Sequence, residues 1–270
     1  MNILFIGGGN MAAAIIGGLI SRDWPAASIC AVDVQEDARA GLESRFGIRT
    51  AAEPGSAIAK ADCIVLAVKP QQLRAVALDI ATAVRGRLVI SIAAGLRCGD
   101  ISRWLGGSPH IVRAMPNTPA LVAAGITGLY AMPQVTAAQR NTAEDILAAV
   151  GATFWVGEER DLDAVTAVSG SGPAYVFYFI EALEQAAREL GLSPEIARQS
   201  ALATFAGAVK LAAGDDADAA TLRARVTSKG GTTERAIGML DEARVMEAFR
   251  RAVRGAAERA AELGDTLGKD

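Results

Sequence analysis

The first nineteen residues, MNILFIGGGNMAAAIIGGL, constrain the fold more than any other stretch of this chain. Residues 2–6 are an apolar run of the length of one buried strand, Gly7-Gly8-Gly9 is a turn, and residues 10–19 are small and apolar at helical spacing. A strand, a glycine turn and a helix in that order form the cradle of a dinucleotide pyrophosphate. Gly7 permits the tight turn and Gly9 lets the backbone approach the phosphates. The helix N-terminus behind them offers free N–H groups and the positive end of a dipole. Ala12 stands where a third glycine is common, small enough for close packing of helix on strand. The competing reading is a turn that merely packs, and the strand–turn–helix context favours the nucleotide. The stretch names a cofactor class and leaves the reaction open.

Apolar strand runs then alternate with helices. Residues 28–32 read as a second strand ending at Asp33, residues 35–46 as a helix, and residues 61–68 (ADCIVLAV) as a strand buried on both faces. A helix over 71–84 and a strand over 87–93 follow. This alternation predicts an α/β fold: an N-terminal Rossmann-like dinucleotide-binding domain over 1–160, with ligand loops at the strand C-termini. Strand candidates at 110–114, 125–132 and 152–156 have only one helix among them, 136–150, with Gly151 as its stop, so the sheet is expected to finish in a mixed edge. From 161 to 270 no convincing strand remains, and apolar residues recur at steps of three and four. That is a second, all-helical domain, with Ser193 and Pro194 opening one helix and residues 264–270 a frayed tail.

Composition removes several function classes. A formal net charge of −3 gives no electrostatic case for nucleic acid or an anionic membrane. No apolar run reaches membrane-spanning length, and the chain enters a strand at once with no basic leader. Cys30, Cys63 and Cys98 are widely spaced without a CxxC, which suits buried free thiols in a reducing cytoplasm. With a single histidine, His110, no transition-metal site is expected.

The chemistry falls on loops. Asp33 is placed either to accept the adenosine ribose hydroxyls or to cap the following helix. Lys69-Pro70 ends a strand, so Lys69 is either a partner of cofactor phosphate or a solvated charge. In RAMPNTP, Pro116 and Pro119 fix the backbone around Asn117 and Thr118, for rigidity or for a role at the nicotinamide. Ser169-Gly170-Ser171-Gly172 is not a nucleophile elbow, because glycine directly precedes Ser171 and no strand leads in. The stretch VTSKGGTT over 226–233 puts hydroxyls and paired glycines before a helix, which makes either an anion nest for a substrate carboxylate or a plain N-cap.

Taken in order, FIGGGNMAAAIIGGL, LAVKPQ, RAMPNTPALV, VSGSGPAYVF and VTSKGGTTERAI resemble the signature stretches of the pyrroline-5-carboxylate reductases, over nearly the whole chain. Lys229 departs from the pattern, standing where many members carry proline. The resemblance implies reduction of 1-pyrroline-5-carboxylate to L-proline by NAD(P)H, with NADP or NAD as cofactor, and a homodimer built through the helical domain, often assembled into larger rings such as a decamer. It implies that the substrate carboxylate lies against Ser228, Gly230, Gly231 and Thr232, with the Thr233 hydroxyl near the imine nitrogen. The cofactor then lies along Gly7, Gly9, Asn10 and Met11, the Val68-Lys69-Pro70 turn and the Ala93-Ala94-Gly95 loop.

Elementary chemistry agrees. Hydride transfer to C=N asks the protein for positioning and a proton source, and a chain with one histidine suits that better than hydrolysis. Two rivals are a β-hydroxyacid dehydrogenase, which needs a lysine that residues 174–190 lack, and a nucleotide-sensing module without catalysis. Asp33 would repel a 2′-phosphate, and Gln35 and Glu36 supply no compensating cation, so these residues favour NADH, whereas many family members use NADPH.

Overall fold

The computed structural model describes residues 1–269. Strands β1 (Ile3–Ile6), β2 (Ile29–Val32), β3 (Arg49–Ala51), β4 (Cys63–Leu66), β5 (Leu88–Ser91), β6 (Ile111–Met115), β7 (Gly125–Ala131) and β8 (Gly151–Trp155) form one sheet. Their order is β3-β2-β1-β4-β5-β6-β7-β8. The pairings from β3 through β6 are parallel, β6 with β7 is antiparallel, and β7 with β8 is parallel again, the mixed edge that the helix-poor stretch predicts. The order reverses between β1 and β4, which makes the C-terminal ends of those two strands the switch point where such sheets bind ligands.

The sheet is buried on both faces, which is why its central strands are uninterrupted apolar runs. Ile3 and Phe5 enter one core with Ile15, Ile16 and Leu19 of α1 (Asn10–Ser21), Leu42 of α2 (Glu36–Phe46), and Ile146 and Leu147 of α6 (Ala137–Ala148). Leu4 and Ile6 enter the other, with Ile58 of α3 (Gly55–Lys60), Leu73 and Ile80 of α4 (Pro70–Ile80), and Ile101 and Trp104 of α5 (Cys98–Trp104). Each such side chain contributes about 1.5–3 kcal/mol relative to exposure. All three cysteines are free and buried.

Several expectations need correction. β3, α3 and α5 lie in stretches to which the sequence pattern assigns no element. Gly151 does not stop a helix, since α6 ends earlier; it opens β8, where a Cβ would sit 1.9 Å from the Gly125 carbonyl oxygen. His110 immediately precedes β6. Nor do residues 264–269 fray, Asp270 lying outside the described residues. The helix α12 (Val245–Leu267) includes residues 264–267, Gly264 is buried, and Arg103 Nη2 donates to the Gly268 carbonyl at 2.6 Å.

By packing, the chain forms two units, residues 1–171 with 256–270, and residues 172–255. The break thus falls at Ser171 rather than at residue 160, because α7 (Asp161–Val165) belongs with the sheet. Its Asp163 accepts two hydrogen bonds from Arg97, at 3.0 and 2.7 Å, and faces Arg113, whose other partner is Glu159 at 3.3 Å. Glu159 also accepts from the Cys98 N–H at 2.6 Å. Arg113 is 2% exposed and Asp163 10%, so this is a closed set of two cations and two anions. Burial works against the Arg97 charge, but the bond to Asp163 together with the negative charges of Asp163, Glu159 and Asp265 outweighs it, so its pKa is pushed up.

The second unit is helical: α8 (Gly172–Glu189), α9 (Pro194–Ala213), α10 (Ala219–Arg225), α11 (Thr232–Glu242) and the first part of α12. Ser193 caps α9 through the Ile196 N–H, with Pro194 at its first position, as expected. Its apolar residues are mostly not covered in a single chain: Phe177, Tyr178, Val209 and Leu211 are each 65% or more exposed.

Candidate active site

The loops that follow β1, β2, β4 and β5 emerge on one edge of the sheet, and with them every cofactor residue expected in the first unit. The Gly7 N–H donates to Val32 O at 2.7 Å, which holds the turn onto the sheet. Gly7 has φ +105°, and a Cβ there would lie 2.7 Å from the Ala67 carbonyl, so only glycine fits between the ends of β1 and β4. Above Gly9, by contrast, a Cβ would meet nothing within 4 Å. Gly9 is the N-cap of α1 and makes no side-chain cap hydrogen bond, and the first turn carries no acid. The N–H groups of Asn10 and Met11 therefore open α1 without a capping side chain, and Ala12 behind them is buried. This cradle fits a dinucleotide pyrophosphate.

Val68, Lys69 and Pro70 form the second wall. Pro70 is the first residue of α4, Lys69 is its N-cap, and that end too lacks a side-chain cap. Lys69 is exposed, so its ammonium is available to an anion there. The third wall is Ala93, Ala94 and Gly95, of which only Ala94 is exposed. Gly95 packs beneath α12, where a Cβ would touch Leu263 and Leu267 at 3.3 and 3.4 Å. The loop thus rests on the chain's own C-terminal helix.

Of the two roles open to Asp33, helix cap and ribose acceptor, the structure rules out the first, since the cap is Gln35. The Asp33 Oδ2 accepts from the Gly8 N–H at 2.7 Å and its Oδ1 from the Gln35 N–H at 2.8 Å, so the carboxylate faces the glycine turn. A cation does stand close by, contrary to expectation: Arg39, three residues beyond Glu36 on α2, donates to the Asp33 and Val34 carbonyls at 2.8 and 3.1 Å. Asn117 serves rigidity. Its Nδ2 donates to Ser169 O at 3.0 Å and its Oδ1 accepts from the Ile126 N–H at 2.9 Å.

In the second unit, residues 228–233 lead into α11, which Gly231 caps without a side-chain bond. The Gly231 N–H donates to Ser228 O at 3.0 Å, closing the turn. Gly230, Lys229, Ser228 and Thr232 are exposed, and Gly231 and Thr233 are half-buried. One participant was missed: Glu234, whose Oε2 accepts the Gly230 N–H at 2.6 Å. Its signal is an acid at the third helical position after a glycine N-cap, the place from which a capping-box acid reaches back. The nest therefore already holds a carboxylate, its own. Among the described residues no group of three or more His, Cys, Asp or Glu is placed to hold a metal ion.

Residues 159–263 match the family model for pyrroline-5-carboxylate reductase dimerisation, and residues 2–95 match that for the coenzyme F420-dependent NADP oxidoreductases. A pyrroline-5-carboxylate reductase of Pseudomonas aeruginosa is 45% identical over 99% of this chain and 98% of its own. The solved structure of such a reductase from Coxiella burnetii has a TM-score of 0.92 at 42% identity, covering 97% of this chain and 98% of that one. One from Plasmodium falciparum with NADP bound gives 0.87 at 28% identity, covering 98% of each. With the cradle, the glycine–threonine turn and end-to-end likeness in agreement, the chain belongs to the pyrroline-5-carboxylate reductase family.

Proposed function

We propose that this chain reduces 1-pyrroline-5-carboxylate to L-proline, the last step of proline biosynthesis, with NAD(P)H as reductant. What carries the reading is that residues 228–233 keep a donor-rich turn at the head of α11, in a chain matched end to end by reductases of this name. When bound, the reduced dinucleotide would supply a hydride to the imine carbon, and a proton from the site or solvent would complete the nitrogen. The chain's own residues bind and orient. Gly9, Asn10 and Met11 hold the pyrophosphate, with the Val68-Lys69-Pro70 turn and the Ala93-Ala94-Gly95 loop flanking the cofactor. Ser228, Gly230, Gly231 and Thr232 order the substrate carboxylate, and the Thr233 hydroxyl hydrogen-bonds the imine nitrogen. Holding both reactants in one geometry is the larger part of such catalysis.

The active form is a homodimer joined through the helical unit, whose exposed Phe177, Val209 and Leu211 are too many large apolar side chains to leave in water. Assembly of dimers into a larger ring such as a decamer is the extension that family resemblance implies, and the cytoplasm is the compartment its buried free thiols suit. The test is consumption of reduced dinucleotide by the purified protein with 1-pyrroline-5-carboxylate and, separately, with a 3-oxo acid. Turnover with the imine alone supports the reductase; turnover with the oxo acid alone identifies the hydroxyacid dehydrogenase instead.

A further inference from the structure

One relative in this family was solved with NADP, the dinucleotide that carries a 2′-phosphate. The adenosine end of this chain's cradle is formed around Asp33. The Asp33 carboxylate is held from two sides by backbone N–H groups, those of Gly8 and Gln35, at 2.7 and 2.8 Å. The Asp33 N–H is itself bound to Ala51 O at 3.1 Å. Gly8 packs on the same side chain, for a Cβ at that position would lie 3.3 Å from the Asp33 Cβ. A carboxylate held this way cannot turn from the glycine turn without giving up both bonds. Each oxygen retains a lone pair, so the group accepts further hydrogen bonds and donates none. That is the chemistry of a ribose hydroxyl acceptor.

The surroundings do not reverse the sign. Glu36 and Asp37 open α2 with two more carboxylates. Arg39 is the cation of this segment, and its Nη1 is engaged by the carbonyls of Asp33 and Val34. Those two bonds use Nη1 alone and leave the other guanidinium N–H groups out, so substitution of Arg39 is part of the test. A 2′-phosphate brings about −1.5 to −2 of charge to a place that already holds the Asp33 carboxylate.

We propose that Asp33 is the specificity-determining residue of the adenosine subsite, selecting the dinucleotide with a free 2′-hydroxyl, NADH, over its 2′-phosphorylated counterpart. The proposal rests on the cofactor assignment given above but not on the reaction. It is tested on the full-length protein without substrate, by calorimetric titration with 5′-AMP and with adenosine 2′,5′-bisphosphate. These compounds differ only in the 2′-phosphate and lack the nicotinamide. The expected result is that 5′-AMP binds at least about tenfold more tightly. Asp33→Asn, which keeps an oxygen for the Gly8 N–H and loses the charge, should narrow or reverse that gap, and Arg39→Ala should leave it in place. Tighter binding of the bisphosphate to the parent protein overturns the proposal, as does an Asp33→Asn ratio equal to the parent's. So does selective loss of the bisphosphate in Arg39→Ala, which would make Arg39 the reader. Efficient turnover of 1-pyrroline-5-carboxylate with NADPH in preference to NADH would refute this inference alone. Tighter 5′-AMP with no turnover by either cofactor would refute the reaction alone.

Discussion

Removing Asp163 should be the most destabilising single change in the buried ion cluster. In the parent, Asp163 and Glu159 face Arg97 and Arg113. Asp163→Ala leaves two guanidinium groups against one carboxylate and deletes both short bonds from Arg97. Arg113, at 2% exposure, cannot reach water and keeps only the 3.3 Å contact with Glu159. Breaking a buried pair from one side costs about 3–5 kcal/mol, because a charge is left uncompensated. The contrasting change is Glu158→Ala, which deletes the pair with Arg160, whose side chains are 61% and 78% exposed. That pair is worth ~0.5 kcal/mol. Urea denaturation of the three proteins, at one protomer concentration because association contributes to stability, should order them parent, Glu158→Ala, Asp163→Ala. A loss below ~1 kcal/mol for Asp163→Ala would refute the reasoning, and would mean that water or a rearranged carboxylate reaches Arg113.

Other outcomes follow from the site. Thr233→Ala should lower kcat by at least ~10-fold, as loss of a positioned proton-linked partner does, while dinucleotide affinity measured by fluorescence titration stays the same; unchanged turnover removes Thr233 from the chemistry. Glu234→Gln should lower KM for the imine by about two- to fivefold, the worth of ~0.3–1 kcal/mol for a carboxylate at an exposed helix N-terminus. Were Glu234 only a helix cap, KM would hold and the melting temperature alone would fall. Cys63 and Cys98 should resist a thiol reagent in the native protein at neutral and mildly alkaline pH. Burial, aided by the charges of Asp62 and Glu159 respectively, pushes both thiols well up, so the reactive thiolate forms only after unfolding. Rapid native labelling of either would contradict that burial.

The parts of the fold legible in the sequence were those whose residues sit together in the chain. β1, β2, β4 and β5 are buried on both faces, so each is a run of apolar side chains, and the glycine turn announces its own backbone. β3 is three residues long at the sheet edge, with Arg49 exposed and Thr50 and Ala51 half-buried, and it carries no apolar signal. α5 is short and begins at Cys98-Gly99-Asp100, which has no helical periodicity. Nothing local in the tail announces its docking, which depends on Arg97 and Arg103, far back in the chain. The same distance hid the pairing of Arg97 and Arg113 with Asp163. Around the proposed site, the sequence pattern does not announce two neighbours: Arg39 behind Asp33, and Glu234 in the turn it belongs to.

Reduction of 1-pyrroline-5-carboxylate to L-proline is the activity on which the functional reading turns. Its most direct test is amino-acid analysis of a reaction containing the full-length protein, NADH or NADPH, and 1-pyrroline-5-carboxylate. L-proline is expected in amounts equal to the dinucleotide oxidised, formed at least ~10-fold more slowly by Thr233→Ala. Dinucleotide oxidised without proline, or proline formed equally well by the Thr233→Ala protein, would contradict that reading.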